Sequence, residues 1–218
     1  MHSTNCVNFH KSMLVFSQEV MYSELTKYEK EIFWSMEDIK MADKKVEKKV
    51  EEWTEEKTDA CIDELVNNAL TALDEFESFD QETVDYIVAK MSVAGLDKHG
   101  VLAEAAVKET GRGVFEDKAV KNLFACEYVT NNMRHTKTVG IISEDPLTGI
   151  TEIAEPVGVV CGIVPVTNPT STVIFKSLIA MKTRNPIIFS FHPGAHDCSV
   201  MAAKVMLDAA VKAGAPKN

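Results

Sequence analysis

The residues with the most chemical promise are Thr167-Asn168-Pro169-Thr170, a polar turn set directly after the apolar run from Val157 to Val166. An asparagine amide is a neutral donor that can be aimed where negative charge develops, and removing such a donor costs roughly 3 to 4 kcal/mol of transition-state stabilisation. The same residues also read as a helix start, because Asn followed by Pro is what an N-cap and a first-turn proline look like. Thiols are the other candidates. Cys6, Cys61, Cys126, Cys161 and Cys198 form no CxxC pair and no zinc-type spacing. Cys161 lies mid-strand in VVCGI and Cys126 inside a helical run, where each reads as a small buried hydrophobe, and Cys61 and Cys198 look no better placed to react. His192, His196 and Cys198 make an HxxxHxC cluster that invites a metal. Pro193 and Gly194 interrupt it, so no single helical face presents all three, and no metal is expected.

Composition narrows the function classes. The 218 residues are 45% hydrophobic and 26% charged, as in an ordinary globular protein, with a core that should need no disulfide. A formal charge of -10 repels phosphate backbones and anionic membrane surfaces, so neither nucleic acid nor membrane is an expected partner. No apolar run approaches the roughly 20 residues of a membrane helix. An odd number of scattered thiols fits a reducing compartment, and the chain reads as cytoplasmic.

The elements that must position the turn can be read from periodicity. Residues 1–40 show no clear period and read as an N-terminal extension, with a helix from Ser23 to Ile39 as the alternative. Residues 41–58 form a charged helical leader, a solvated face. The rest, 59–218, divides into helices over 61–133, a hairpin over 138–155 and a β-α-β-α run over 157–214. Ile62, Leu65, Leu70, Leu73 and Phe76 describe an amphipathic helix. Asp80 can cap a second, in which Val84, Ile87, Val88 and Met91 recur at helical spacing. A third, Val101 to Thr110, is closed by Gly111. A fourth, Asp117 to Met133, carries Val120, Leu123, Phe124 and Tyr128 on one face. Four such helices suggest a layer covering a sheet.

Thr138 to Ile142 and Ile150 to Ile153 flank a turn cluster and predict the hairpin. Val157 to Val164 predicts a strand buried on both faces, as a parallel strand requires. Gly158 and Gly162 within it point to close backbone approach, not to a phosphate loop, and no GxGxxG occurs. A helix over Thr170 to Met181, a strand over Ile187 to Phe191 and a helix over Cys198 to Lys212 complete the pattern, with Met181, Met201 and Met206 as core filler. Strand, helix, strand, helix is half of a doubly wound parallel sheet, so the fold class is α/β with an incomplete Rossmann-type domain.

The stretch AEPVGVVCGIVPVTNPTST, followed by IFKSLIAMKTRNPIIFSFHP and AAVKAGAPKN, resembles the coenzyme-A-acylating aldehyde dehydrogenases. The similarity is greatest to the aldehyde dehydrogenase half of the bifunctional aldehyde-alcohol dehydrogenases of fermentative microbes. KETGRGVFEDKAVKNLFACEYV and KTVGIISEDPLTGITEIAEP are also similar, so the resemblance covers about Asp59 to Asn218. It implies that acetaldehyde, NAD and coenzyme A are converted reversibly to acetyl-CoA, through a cysteine thiolate and an oxyanion held by an asparagine amide. That asparagine corresponds to Asn168. The cofactor loop corresponds to Ile163, Val164, Pro165, Val166, Thr167 and Asn168, near the nicotinamide, and Ser190 and His192 fall near the adenosine ribose. The family's nucleophilic cysteine corresponds to a position beyond Asn218, so the resemblance implies a truncated N-terminal part, inactive alone. Aldehyde and acyl-CoA are the implied small-molecule partners, and the full-length enzyme is implied to be a homo-oligomer. The alternative is a non-catalytic assembly module that docks on a full-length copy.

Overall fold

The computed structural model describes residues 54–217. The expectations for residues 1–40, and for most of the charged leader, lie outside these. The leader's last residues open helix α1 (Glu55–Phe76), capped by Thr54, whose hydroxyl accepts from the Lys57 N–H at 3.4 Å. The helix therefore begins six residues before Cys61, where the apolar period starts. Its buried stripe is Leu65, Ala69, Ala72 and Phe76, while Leu70 faces out. The period was set by the alanines, which sequence reading passed over for the larger Leu70.

Helix α2 (Gln81–Asp97) forms as its cap and stripe predict. The Asp80 carboxylate accepts from the Thr83 N–H at 2.8 Å, the Thr83 side chain and then its N–H hold the Asp80 pKa below the ordinary value, and Val84, Ile87, Val88 and Met91 are all buried. Helix α3 (His99–Thr110) ends at Gly111 in the left-handed conformation, φ 63°. Helix α4 (Phe115–Leu123) runs through a π turn (Phe124–Tyr128) into a short helix α5 (Val129–Met133). The Ser92 hydroxyl donates to the Cys126 carbonyl within that turn at 2.7 Å, and a Cβ on Gly95 would lie 2.7 Å from the Cys126 sulfur. The glycine thus lets α2 approach the π turn closely.

The hairpin consists of β1 (Gly140–Asp145) and β2 (Ile150–Ala154), paired antiparallel with a bulge between Ile141 and Ser143. Asp145 ties its turn, accepting from the Leu147 N–H at 2.9 Å and the Thr148 hydroxyl at 2.6 Å. Strands β3 (Val160–Val164) and β4 (Ile187–Phe191) pair in parallel, with α6 (Pro169–Lys182) as the crossover. A 3-10 turn (Pro193–Ala195) leads into α7 (His196–Lys212). Gly162 in β3 makes room for its neighbour, since a Cβ there would meet Ile187 and Phe189 at 2.8 to 2.9 Å. Gly158 precedes the strand, with φ 113°, and donates to Asn185 Oδ1.

The helices do not form a simple layer on the sheet. Helix α2 packs on α6 and α7, and Val84, Ile87 and Met91 join Val173, Ile174, Leu178, Ala202 and Met206 in one core. Among the described residues only α1 lies on the far face, through Leu65 and Ala69 against Ile188 of β4. That helix stops short of β3. Gly162 and Val164 are consequently buried while Cys161 and Ile163 are exposed, so β3 is covered on one face among the described residues, not on both. Met181 and Met206 fill the core as expected, whereas Met201 faces solvent.

Helix α4 presents the opposite side from the one its apolar pattern predicts. Val120, Phe124 and Tyr128 are each more than half exposed, with the two rings stacked at 5.2 Å. The buried side carries Lys118, Asn122, Ala125 and Cys126. Polar groups can be buried when each finds a partner. Both Lys118 and Asn122 do.

Candidate functional site

The two parallel strands end side by side. Val164 pairs with Phe191, and the His192 N–H donates to the Val164 carbonyl at 3.2 Å. The loops that leave these ends, 165–168 and 192–195, therefore share one edge of the sheet, where open α/β sheets bind ligands. Val166 packs with Ala195 and Cys198 between the loops. Of the residues singled out in the sequence, Ile163, Pro165, Thr167 and His192 are exposed at this edge, Val166 and Asn168 are half-buried, and Val164 and Ser190 are buried. Ser190 sits one residue back in β4, opposite Ile163, and is not presented at the strand's end.

Asn168 occupies the N-cap position of α6 with φ -145° and ψ 62°, yet its side chain caps no helix N–H. Asn168 is therefore not the side-chain cap that its place before Pro169 suggests. Pro169 has no N–H to satisfy, and the Thr172 N–H takes the Asn168 carbonyl at 3.2 Å, so the helix starts without the amide. The side chain bonds laterally: Oδ1 accepts from the Thr167 hydroxyl at 2.9 Å, and Nδ2 donates to Thr172 Oγ1 at 2.8 Å. An amide nitrogen carries two hydrogens. One is committed to Thr172, and the other has no acceptor among the described residues.

Three polar residues that sequence reading missed hold this edge. The Lys118 ammonium donates to the Thr167 carbonyl at 2.9 Å. Asn122, fully buried one helical turn on, accepts from the Thr170 hydroxyl at 2.9 Å and donates to the His99 carbonyl at 2.9 Å. Glu109 caps α7 from a distant element, accepting from the Asp197 N–H at 2.9 Å and the Cys198 N–H at 2.7 Å. A spacing of four between Lys118 and Asn122 on one helical face was the available signal. Their partners lie 48 and 49 residues away, which no local pattern reveals.

The thiols are poorly placed for nucleophilic work. Burial pushes the Cys126 thiol up to about 12, and burial together with Glu109 raises that of Cys198 further. Burial, then Glu64, also raises Cys61. A thiolate nucleophile needs the reverse, a lowered pKa. Cys161 is exposed on β3, contrary to its reading as a buried hydrophobe. The His192 ring accepts from the Gly194 N–H at 3.0 Å, and the His196 ring bonds Asp197 at 2.9 Å. Among the described residues no group of three or more His, Cys, Asp or Glu side chains is placed to hold a metal ion, and no helix is long and apolar enough to cross a membrane.

Comparison with known proteins gives consistent results. The family model for the aldehyde dehydrogenase family matches residues 34–218. Aldehyde-alcohol dehydrogenase 2 of Entamoeba histolytica is 69% identical over 159 residues, which is 72% of this chain and 18% of that protein. The crystal structure of an acetylating aldehyde dehydrogenase from Geobacillus thermoglucosidasius is similar with a TM-score of 0.70 at 50% identity, over 72% of this chain and 34% of that one. A Rhodopseudomonas palustris propionaldehyde dehydrogenase, solved with bound CoA and an acylated cysteine, has a TM-score of 0.60 at 27% identity, over 72% of this chain and 35% of that one. An engineered glycolyl-CoA reductase solved with bound NADP+ has a TM-score of 0.59 at 27% identity, over 71% of this chain and 35% of that one. The chain thus spans 18% of the length of the bifunctional relative and about a third of the solved chains.

Proposed function

Because this chain belongs to the aldehyde dehydrogenase family, we propose that its strand-end turn is the oxyanion and nicotinamide side of an NAD-linked, coenzyme-A-acylating aldehyde dehydrogenase. The parent reaction converts acetaldehyde, NAD and coenzyme A reversibly to acetyl-CoA. The observation that carries the reading is the Asn168 amide, which sits at the carboxyl end of β3, leaves α6 uncapped and keeps one N–H uncommitted.

The residues at the sheet edge fit a nucleotide. Exposed Ile163 and Pro165 offer apolar surface beside the Thr167 hydroxyl and the His192 ring, the mixture of flat apolar contact and a few polar groups that such ligands take. Ile163 to Asn168 would lie along the nicotinamide, with His192, and Ser190 behind it, toward the adenosine ribose. When bound, that cofactor supplies the hydride acceptor. The chain's own contribution is electrostatic: the free Asn168 N–H is a neutral donor for a carbonyl oxygen that gains charge as a nucleophile adds. Lateral bonds to Thr167 and Thr172 fix the amide beforehand, so little reorganisation is needed during reaction.

The full-length polypeptide is expected to oxidise NADH when given acetyl-CoA and to release free coenzyme A, with NADPH a poor substitute. The 218-residue chain by itself is expected to do neither; burial holds the thiols of Cys126 and Cys198 protonated, and Cys161 lies on β3 away from the Asn168 turn. A 218-residue chain that reduced NAD with acetaldehyde and coenzyme A would overturn this, as would a full-length polypeptide without acyl-CoA-dependent NADH oxidation.

The hairpin favours a second role beside the first, self-association. Ile141, Ile150 and Ile153 are each more than half exposed on a two-stranded ribbon of a kind that is marginal in isolation. Pairing with a second copy would cover them. Substituting Ile141 and Ile153 by Lys is expected to shift the full-length polypeptide to a smaller species in size-exclusion chromatography with light scattering. An unchanged mass would exclude the hairpin as the contact. Free thiols among the described cysteines are in keeping with a cytoplasmic location.

A further inference from the structure

We propose that Lys118 is a positioning residue for Asn168, an inference that rests on the reading of that amide given above. Lys118 is 4% exposed, and among the described residues it forms no ion pair with a carboxylate. Burying an ammonium group without a counter-charge is costly, and a Met of similar length would pack much the same space without that cost. Among the described residues its ammonium donates to the Thr167 carbonyl, 49 residues away.

That carbonyl belongs to the peptide unit joining Thr167 to Asn168. The unit is planar, so fixing its oxygen also fixes the Asn168 N–H and the direction from which the Asn168 backbone leaves. A donor carrying charge holds such an oxygen more firmly than a neutral one. One turn further along α4, Asn122 holds the Thr170 hydroxyl. The buried face of α4 therefore grips the turn on both sides of Asn168. The side chain adds its own pair of bonds, to Thr167 and Thr172. This network explains why α4 buries its polar side and leaves Val120, Phe124 and Tyr128 exposed.

The test uses the full-length polypeptide with Lys118→Met and Lys118→Arg. In K118M, kcat for acetyl-CoA reduction is expected to fall about 10- to 100-fold while KM for NADH and acetyl-CoA stays within about threefold, since the loss is one of alignment and not of ligand binding. K118R, which keeps a charged donor, is expected to restore most of kcat. Amide hydrogen exchange over residues 165–172 should accelerate in K118M while α2 keeps its wild-type rates. This second readout is independent of catalysis. Faster exchange in a polypeptide whose wild type lacks the activity would leave the positioning intact and defeat only the functional reading. Exchange and kcat that both match the wild type would overturn the proposal, as would a uniform acceleration across the chain. Should K118M not fold, K118Q, too short to reach the carbonyl, is read in its place against the same outcomes.

Discussion

Replacing Asp85 by Ala is expected to destabilise the fold by about 3 kcal/mol, the low end of what losing one partner of a buried ion pair costs. The Asp85 carboxylate accepts from the Lys182 ammonium at the end of α6, whose side chain is 3% exposed while that of Asp85 is 39% exposed. Asp85 also accepts from Gln81 Nε2 at 3.0 Å. Gln81 Oε1 in turn accepts from the N–H groups of Thr138 and Val139 at 2.7 and 3.1 Å, and the Thr138 hydroxyl donates to the Lys182 carbonyl at 2.5 Å. The network ties the start of α2, the end of α6 and the approach to the hairpin. Removing the carboxylate leaves a buried ammonium unpaired. Removing the ammonium leaves a carboxylate that water can already reach. Lys182→Met is therefore expected to cost less than about 1 kcal/mol, and the double variant D85A/K182M to recover most of the loss in D85A. Urea unfolding of the four chains measures the cycle. Equal costs for the two single variants would mean that Lys182 is not the desolvated partner.

Asn168→Ala is expected to lower kcat of the full-length polypeptide by about 10² to 10³-fold, the effect of deleting one oxyanion donor. KM should change little, because the donor acts on charge that the ground state does not carry. Stability should change little too. The amide is not the helix cap, so the usual cost of a lost N-cap, about 1 kcal/mol, does not apply, and only the two lateral side-chain bonds go. An unfolding midpoint that fell by a full cap's worth, with kcat intact, would restore the structural reading of this residue. Asn168→Asp tests the sign of the field. It retains the shape and substitutes a negative acceptor for the donor, so its kcat should fall at least as far.

Much of this architecture is legible in the chain because it rests on local physics. The Asp80 cap, the α2 stripe, Gly111 at a left-handed C-terminus, the turn around Asp145 and the crossover between β3 and β4 all follow from residues within one helix or turn of each other. The failures share the opposite cause. The apolar pattern of Val120, Phe124 and Tyr128 points the wrong way for α4 and the π turn that follows it, because Lys118 and Asn122, whose partners lie outside the helix, orient the helix. Cys161 was read as buried because β3 is apolar throughout, yet burial depends on how far α1 extends across the sheet, and it reaches only β4. The importance of Glu109 is invisible locally, since it caps α7 from 88 residues upstream. Asn168 itself could be located from the sequence but not assigned between capping and chemistry. The orientation of its side chain, which caps no helix N–H, removes the capping reading and leaves the amide available for the proposed chemistry.

The proposed role of Asn168 is to stabilise charge on a reacting carbonyl oxygen. Single-turnover acylation by acetyl-CoA in the full-length polypeptide, read as release of the free coenzyme A thiol, isolates the step in which that charge forms. N168A is expected to slow this release by about 10² to 10³-fold at saturating acetyl-CoA while acetyl-CoA binding is unchanged. Release at the wild-type rate in a folded N168A polypeptide would contradict it.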